Sequence, residues 1–479
     1  MRKLLALVLP VALTTGCAVG PNYVRPPVTT PESIRGQVGS PEAASLADQA
    51  WWEIFRDESL KSLIDEALRS GYDVRLAAWR VEEARANAGI SRSELFPQVQ
   101  AEGQWSRSRR SAGSTLGSTP VNLYDVNLGL SWEIDLWGRI RRLNEAALAQ
   151  YLATEEARRG VVLSLVSEVA TDYFQLRALD LQLEIARRTS TAFQETYDLF
   201  NRRLQGGAAS ALETSSAEAS LASTAANIPN LERQIVSQEN QLAFLLGRNP
   251  GPIPRGATLD DQFLPPEIPA GLPSDLLQRR PDLRQAEQNL VAANAGVGVA
   301  VANFFPAVSL TGAFGGVAPR VSDLFGNGRT WSAGGGILAP VFQGRRLKNQ
   351  HRAAVARWEE TKAQYEQSVT NAFAEVSTAL VACQKLAEVE QEQARAVAAY
   401  REAVSLASSR YRAGLSDYLE VLQAQQQQLT AENALAQTRF IRLASLVQLY
   451  KALGGGWRLS DPEWTGPRDR PAPAARSGG

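Results

Sequence analysis

The sequence predicts an α+β membrane protein, an internal tandem duplication of short strands and very long helices. Three observations carry that prediction. Landmark residues recur at a nearly constant spacing of about 207 positions. Segments of roughly ten residues alternate apolar and polar side chains. Long proline-free stretches keep a heptad rhythm of apolar residues.

The bulk composition suits a chain with a sizeable buried core: 479 residues, 44% hydrophobic and 21% charged. A formal net charge of zero gives no reason to expect a nucleic-acid partner or an acidic substrate.

Residues 1–16 read as an export signal. Arg2 and Lys3 precede the apolar run from Leu4 to Leu13, which is too short to cross a bilayer. Thr14-Thr15-Gly16 then lead to Cys17, the candidate lipid-attachment residue, although Thr14 stands where a bacterial lipobox usually carries Leu. Plain cleavage near Gly16 is the alternative. Ala18 after the cysteine favours the outer over the inner membrane. Cys383 is the one other cysteine, so an acylated chain has no internal disulfide and relies on packing and assembly. No later apolar stretch reaches the length of a spanning helix, so a membrane crossing must use strands.

The duplication organises the rest. Glu94-Leu95-Phe96-Pro97 matches Asn303-Phe304-Phe305-Pro306 about 209 positions on, and Gly138-Arg139 matches Gly344-Arg345 about 206 on. Arg203, Gly207, Leu212 and Glu213 match Arg410, Gly414, Leu419 and Glu420. The chain then divides into the signal 1–16, a lipoprotein segment and collar 17–58, a first repeat 59–249, a Pro-rich linker 250–273, a second repeat 274–456, and a collar segment with a disordered tail 457–479.

Each repeat opens with an amphipathic helix, from Ser59 to Leu95 and from Ser274 to Phe304, which the Phe-Pro pair ends. Strands follow. Val126, Leu128, Leu130, Trp132, Ile134 and Leu136 lie on one face, Asn127, Gly129, Ser131, Glu133 and Asp135 on the other. Val99, Ala101, Gly103 and Trp105 alternate likewise, as do Val308, Leu310 and Phe314. The Gly-rich stretch from Trp331 to Val341 is the fourth strand. Period two over about ten residues suits tilted transmembrane strands with one lipid face and one polar face, and equally an ordinary half-exposed sheet.

Long helices come next. Val162, Val166, Val169, Tyr173 and Leu176 form a seam that repeats at Val369, Phe373, Val376, Leu380 and Cys383. A helix from Arg139 to Gln205 would be roughly 100 Å long and must project as a hairpin. Pro229 predicts a kink or break in the first return helix, where its counterpart is Ala436.

Four strands cannot close a barrel, and open edges are not tolerated in lipid, so two or three chains must assemble. The flanking helices separate this reading from its rival, a periplasmic coiled-coil adaptor, which would have one hairpin and a different β domain.

The residues Cys17-Ala18-Val19-Gly20-Pro21-Asn22-Tyr23, Leu272 to Asp282, Ala292-Ala293-Asn294-Ala295 and Asn303 to Pro306 carry a resemblance over nearly the whole chain. The chain resembles the TolC-like outer-membrane efflux channels, in their NodT-type lipoprotein branch. That resemblance implies a homotrimeric twelve-strand β-barrel continued by an antiparallel α-helical coiled-coil tunnel in the periplasm. It implies docking to a periplasmic adaptor (membrane fusion) protein and an inner-membrane pump of the resistance-nodulation-division type. It also implies a periplasmic gate at the second hairpin turn. Leu419 would form an apolar ring, Arg410 and Tyr411 would hold the closed helices to their neighbours, and Asp417 and Tyr418 set this turn apart from the first. Glu420 falls where some members are acidic. Gln423 falls where Asp is common, which weakens any expectation of strong cation selectivity. Each of these residues could equally be seam or solvated surface.

No enzyme is expected. The single His351 sits among Arg345, Arg346 and Lys348, poor company for a metal; no cofactor and no metal site is predicted. Cys383 reads as a small core side chain. Gly296-Val297-Gly298 lacks the full dinucleotide fingerprint and reads as a place of close helix packing. Trp51, Trp52 and Trp457 read as collar packing. Transported substrates cannot be read from the sequence.

Overall fold

The structure, a computed structural model, describes residues 18–31, 33–37, 54–109, 120–207, 209–262 and 276–455. Cys17, Trp51, Trp52 and Trp457 lie outside them. The described elements are α1 (Glu58–Ser70), α2 (Tyr72–Ser93), β1 (Gln98–Ser108), β2 (Val121–Ile134), α3 (Arg139–Gln205) and α4 (Ala211–Leu245). A helical turn at Leu276–Arg279 precedes α5 (Pro281–Ala302), β3 (Ala307–Ala318), β4 (Arg329–Leu338), α6 (Arg346–Arg412) and α7 (Tyr418–Ala452). No described helix is long and apolar enough to cross a membrane.

Two compact units emerge, each taking pieces of both repeats: residues 1–27, 79–156 and 285–367, and residues 28–78, 157–284 and 368–479.

The first unit carries an antiparallel sheet in the order β1-β2-β3-β4. Its register sorts the side chains by polarity. Val99, Leu130 and Gly312 stand in one row, and Ala101, Leu128, Phe314 and Trp331 in the next. Below them come Trp132 with Leu310, then Ile134 with Val308 and Ile337. This face is apolar along most of its length, with Arg107, Asn122 and Arg329 only at its loop end, and it is exposed: Trp331 keeps 76% of its surface and Phe314 56%. The other face carries Gln98, Gln100, Glu102, Gln104, Asp125, Asn127, Glu133, Ser309 and Thr311. A one-residue slip would exchange the two faces, so the pattern fixes the register. β1 and β4 each keep an unpaired edge.

The chain entering this unit runs as an arm. Val19 N–H donates to the Trp137 carbonyl (3.0 Å), and Asn294 Nδ2 donates to the Pro21 carbonyl (3.0 Å). Arg142 Nη2 reaches Asn22 Oδ1 (2.8 Å), and Arg25 forks onto Glu287. Gly298 is the close-packing glycine: a Cβ on Gly20 would come 2.5 Å from its Cα, and one on Gly298 would strike the Arg142 stem at 2.9 Å. It admits this arm and an arginine. Gly296 meets nothing within 4 Å. His351 is half-buried, its ring edge-on to Phe304 at 6.2 Å.

The second unit holds the main core. Leu60, Ile64 and Ala67 of α1 pack with the α3 seam Val162, Val166, Val169, Tyr173 and Leu176, and with Val376, Leu380 and Cys383 of α6. Leu443, Leu446 and Tyr450 of α7 complete it. Burial pushes the Cys383 thiol up to about 11, as expected of a packing residue.

Several elements differ from expectation. Both opening helices are interrupted, after Ser70 and after Arg279, at counterpart positions. Gly71 ends the first with a backbone that leaves helical geometry. In the second copy Arg280 precedes Pro281, which disfavours helix at the residue before it and then starts the next helix well. No break occurs at Pro229, by contrast, which sits inside an uninterrupted α4. It is exposed, so water can satisfy the carbonyl its missing N–H leaves free. The junctions also shift. α3 and α6 each span 67 residues, 207 apart, which makes Arg345, not Gly344, the counterpart of Gly138. Both have positive φ, +68° for Arg345 and +80° for Gly138, the turn that launches each long helix.

Candidate functional site

The two hairpin turns are built alike. Gly207 (φ +72°) follows α3 and Gly414 (φ +69°) follows α6, each in the left-handed conformation glycine takes cheaply. At the second turn Gly414 N–H donates to the Tyr411 carbonyl (3.0 Å) and Leu415 N–H to the Arg410 carbonyl (2.9 Å), closing the helix end. Ser210 then caps α4, accepting from Glu213 N–H (3.2 Å) while Glu213 receives Ser210 N–H (2.8 Å). Asp417 does the same for α7, accepting from Glu420 N–H at 3.4 Å. Asp417, expected from the sequence to have no first-turn equivalent, has one in Ser210. What remains distinctive is Tyr418, whose counterpart is Ala211.

The expected gate residues separate into two groups. Arg410 and Glu420 form an ion pair across the second turn (3.4 Å), both half-exposed. Tyr411 faces the first hairpin: Arg203 Nη1 donates to its hydroxyl (2.7 Å), and the guanidinium lies 5.7 Å from its ring centre. Leu419 (54%) and Gln423 are exposed and not part of the buried cluster around Tyr411.

Around Tyr411 lies a satellite core of Phe193, Phe200, Ala217, Tyr418, Val421 and Leu422. Phe200 meets Tyr418 edge-on at 4.5 Å, and Tyr411 and Tyr418 stand 5.6 Å apart. Burial pushes the Tyr418 phenol up, against the hydrogen bond with Thr196. Sequence reasoning missed Arg203, Phe193 and Phe200. The signal was there: Phe193 and Phe200 are spaced by seven and share a face of α3.

A second clamp joins the hairpins further from the turns. Glu432 of α7 is buried and receives Arg188 (2.5 Å) from α3, Arg401 (2.9 Å) from α6 and Gln428 (3.1 Å). Burial alone would raise its pKa. The hydrogen bonds from Gln428 and Arg401 and the charges of both arginines outweigh that and hold it below the ordinary value. The three charged groups line a cavity of about 300 Å³ with Arg177, Glu184 and Arg439.

An open four-strand sheet, apolar on one face and polar on the other, followed by paired long helices, defines a subunit of a membrane channel. The chain belongs to the outer membrane efflux protein family, whose pattern it matches twice, over residues 63–248 and 272–455. It is 37% identical over 466 residues to "Probable efflux pump outer membrane protein TtgC" of Pseudomonas putida, covering 95% of this chain and 96% of that one. It is 35% identical over 460 residues to "Cation efflux system protein CusC" of Escherichia coli, covering 95% and 99%. Among solved structures, the outer-membrane channel OprN superposes with a TM-score of 0.85 at 34% identity, over 92% of this chain and all of that one. The protein is an outer-membrane efflux channel subunit.

Proposed function

We propose that three copies of this chain close a twelve-strand barrel, continued into the periplasm by the helices as an exit duct for drugs or other small toxic compounds. The observation that carries this is the sheet with one face apolar up to its loop end and two open edges. Unpaired backbone has no partner in hydrocarbon, so the edges must meet edges of other copies. Two copies would give eight strands and a lumen nearly filled by side chains; three leave a water-filled passage lined by the polar face.

The second turn, with Arg410, Tyr411, Asp417, Leu419, Glu420 and Gln423, is the gate. Leu419 projects as an apolar side chain that three copies would bring into a ring. Asp417 and the Arg410–Glu420 pair stiffen the turn, and Tyr411 ties it to the first hairpin. A periplasmic adaptor opens the gate only by binding the splayed arrangement more tightly than the closed one. An inner-membrane pump of the resistance-nodulation-division type supplies the cargo, and selection rests with it because a polar duct discriminates weakly. Neutral Gln423 removes one acidic ring, so cation selectivity is weak.

Cys17 carries an acyl anchor. Its neighbour Ala18 lies against the Gly138 backbone where β2 gives way to α3, the level at which a lipid chain would enter the bilayer.

The test is single-channel recording of the Arg410→Ala, Leu419→Ala double variant. Conductance should rise severalfold; unchanged conductance would contradict the gate.

A further inference from the structure

The duplication is exact enough in geometry to specify how one copy meets the next. Tyr72 and Pro281 open 22-residue helices, Gln98 and Ala307 open the strands that follow, and both pairs lie 209 positions apart. From the second strand of each hairpin onward the spacing is 207, as between Arg139 and Arg346 or Ala211 and Tyr418. The hairpin registers obey the same shifts: Val99 faces Leu130, and their counterparts Val308 and Ile337 face each other. The two hairpins are therefore the same object, register included.

Within the chain those hairpins are joined by the β2–β3 seam. We infer that the seam between copies repeats it, β4 of one copy pairing with β1 of the next in the β2–β3 register. This rests on the trimeric-barrel reading and adds residue pairs to it. Leu128 faces Phe314 inside the chain, so Gly335 would face Trp105 of the adjacent copy. Leu130 faces Gly312, so Ile337 would face Gly103; Ile134 faces Val308, so Val341, three residues past the end of β4, would come beside Val99.

Three independent features agree. The inferred register places apolar side chains opposite apolar ones, which half of all conceivable registers would not do. It alternates bulk: Trp105 covers Gly335, and Ile337 covers Gly103. β4 contains Gly334, Gly335 and Gly336 in succession, a run weak on its own that a cross-strand aromatic supports. A shift of two residues either way would set Trp105 against Ile337 or against Ala333, leaving Gly335 without a ring. Finally, the side chains concerned are the bare ones. Val341 is 94% exposed, Ile337 74% and Val99 66%, whereas Leu130 and Ile134 of the internal seam are more covered.

The corner beside the seam follows. Trp137 stacks on Phe305 at 4.7 Å and its indole N–H reaches the Pro306 carbonyl at 2.8 Å. Their counterparts are Gly344 and the exposed Phe96-Pro97 corner, so Phe96 of one copy would rest on the glycine turn of the next, beside exposed Phe342.

The test is disulfide trapping in the full-length protein carrying Cys383→Ser. Ile337→Cys with Gly103→Cys should cross-link on mild oxidation into a ladder ending at three chain masses. Ile337→Cys with Val99→Cys, about 13 Å out of register at 3.3 Å per residue, should not. Cross-linking of the second pair in place of the first would overturn the register while leaving the trimer standing. Absence of both cross-links in a protein that still sediments as a trimer would do the same. A chain that sediments as a monomer would remove the barrel reading itself. Trp105→Ala should lower the heat resistance of the oligomer, and Gly335→Leu added to it should restore part of the loss.

Discussion

Arg203 at the end of one hairpin's outgoing helix donates to the Tyr411 hydroxyl of the other at 2.7 Å, while its guanidinium approaches the same ring. It is a charged contact between the two turns, and it ties Arg203 to the expected gate residue Tyr411. Arg203→Ala should therefore loosen the second hairpin without touching any residue of that hairpin. Planar-bilayer recordings should show longer or larger openings than the unaltered channel, and a trace identical to it would mean the aromatic cluster alone holds the turn.

The Glu432 clamp gives the hairpin contact a pH dependence. A carboxylate held below its ordinary value contributes stability that is fully present above the unfolded-state pKa of about 4.5 and is lost as pH falls through the lower folded value. Thermal melts should be level in this respect from pH 7 to 5 and decline below that. In Glu432→Gln that part of the decline should vanish, and an unaltered acid profile would count against the clamp. Because Arg188 and Arg401 are more than half exposed, the substitution should cost only about 1–2 kcal/mol.

Asp57 organises the second unit's core from one buried carboxylate. It caps α1 through Ser59 N–H (2.9 Å) and Leu60 N–H (3.2 Å), and accepts from Tyr173 (2.9 Å), Ala257 N–H (3.0 Å) and Gln262 (2.9 Å). Asp57→Ala loses a cap and strands buried donors, so denaturant unfolding should report a loss of about 3 kcal/mol. Gly256→Ala should act in the same direction, since its Cβ would fall 2.1 Å from Asp57 Oδ1. A loss under 1 kcal/mol for Asp57→Ala would place the organising role elsewhere.

Arg345 and Gly138 invert the usual glycine argument. Arg345 holds a left-handed backbone with an exposed side chain, so Arg345→Gly should raise the melting temperature through relief of about 1 kcal/mol. Gly138→Ala should lower it, because the new Cβ would sit 2.6 Å from Ala18. Equal responses at the two positions would show that the turn is set by its surroundings rather than by φ.

Much of this fold was legible in the sequence because its periods are long and its copies are two. Alternation in Val126 to Ile134 marked a strand face, and the seam from Val162 to Leu176 marked the buried side of α3. What escaped was local and conformational. The helix break at Gly71 and its counterpart at Arg280-Pro281 use different residues for one bend, so comparing the copies residue by residue hid it. Gly344 attracted the alignment that belongs to Arg345, because glycine is the residue expected at positive φ. Pro229 looked like a breaker only while its exposure was unknown. At the site, the polar gate residues drew the reading, whereas Phe193, Phe200 and Arg203 gain meaning only once the two hairpins stand side by side.

No single chain closes this pore. The most direct measurement is the mass of the purified protein in detergent by light scattering, corrected for bound detergent, on the same preparation that conducts in bilayers. Every conducting particle should contain three chains. A conducting particle with the mass of one chain would contradict it.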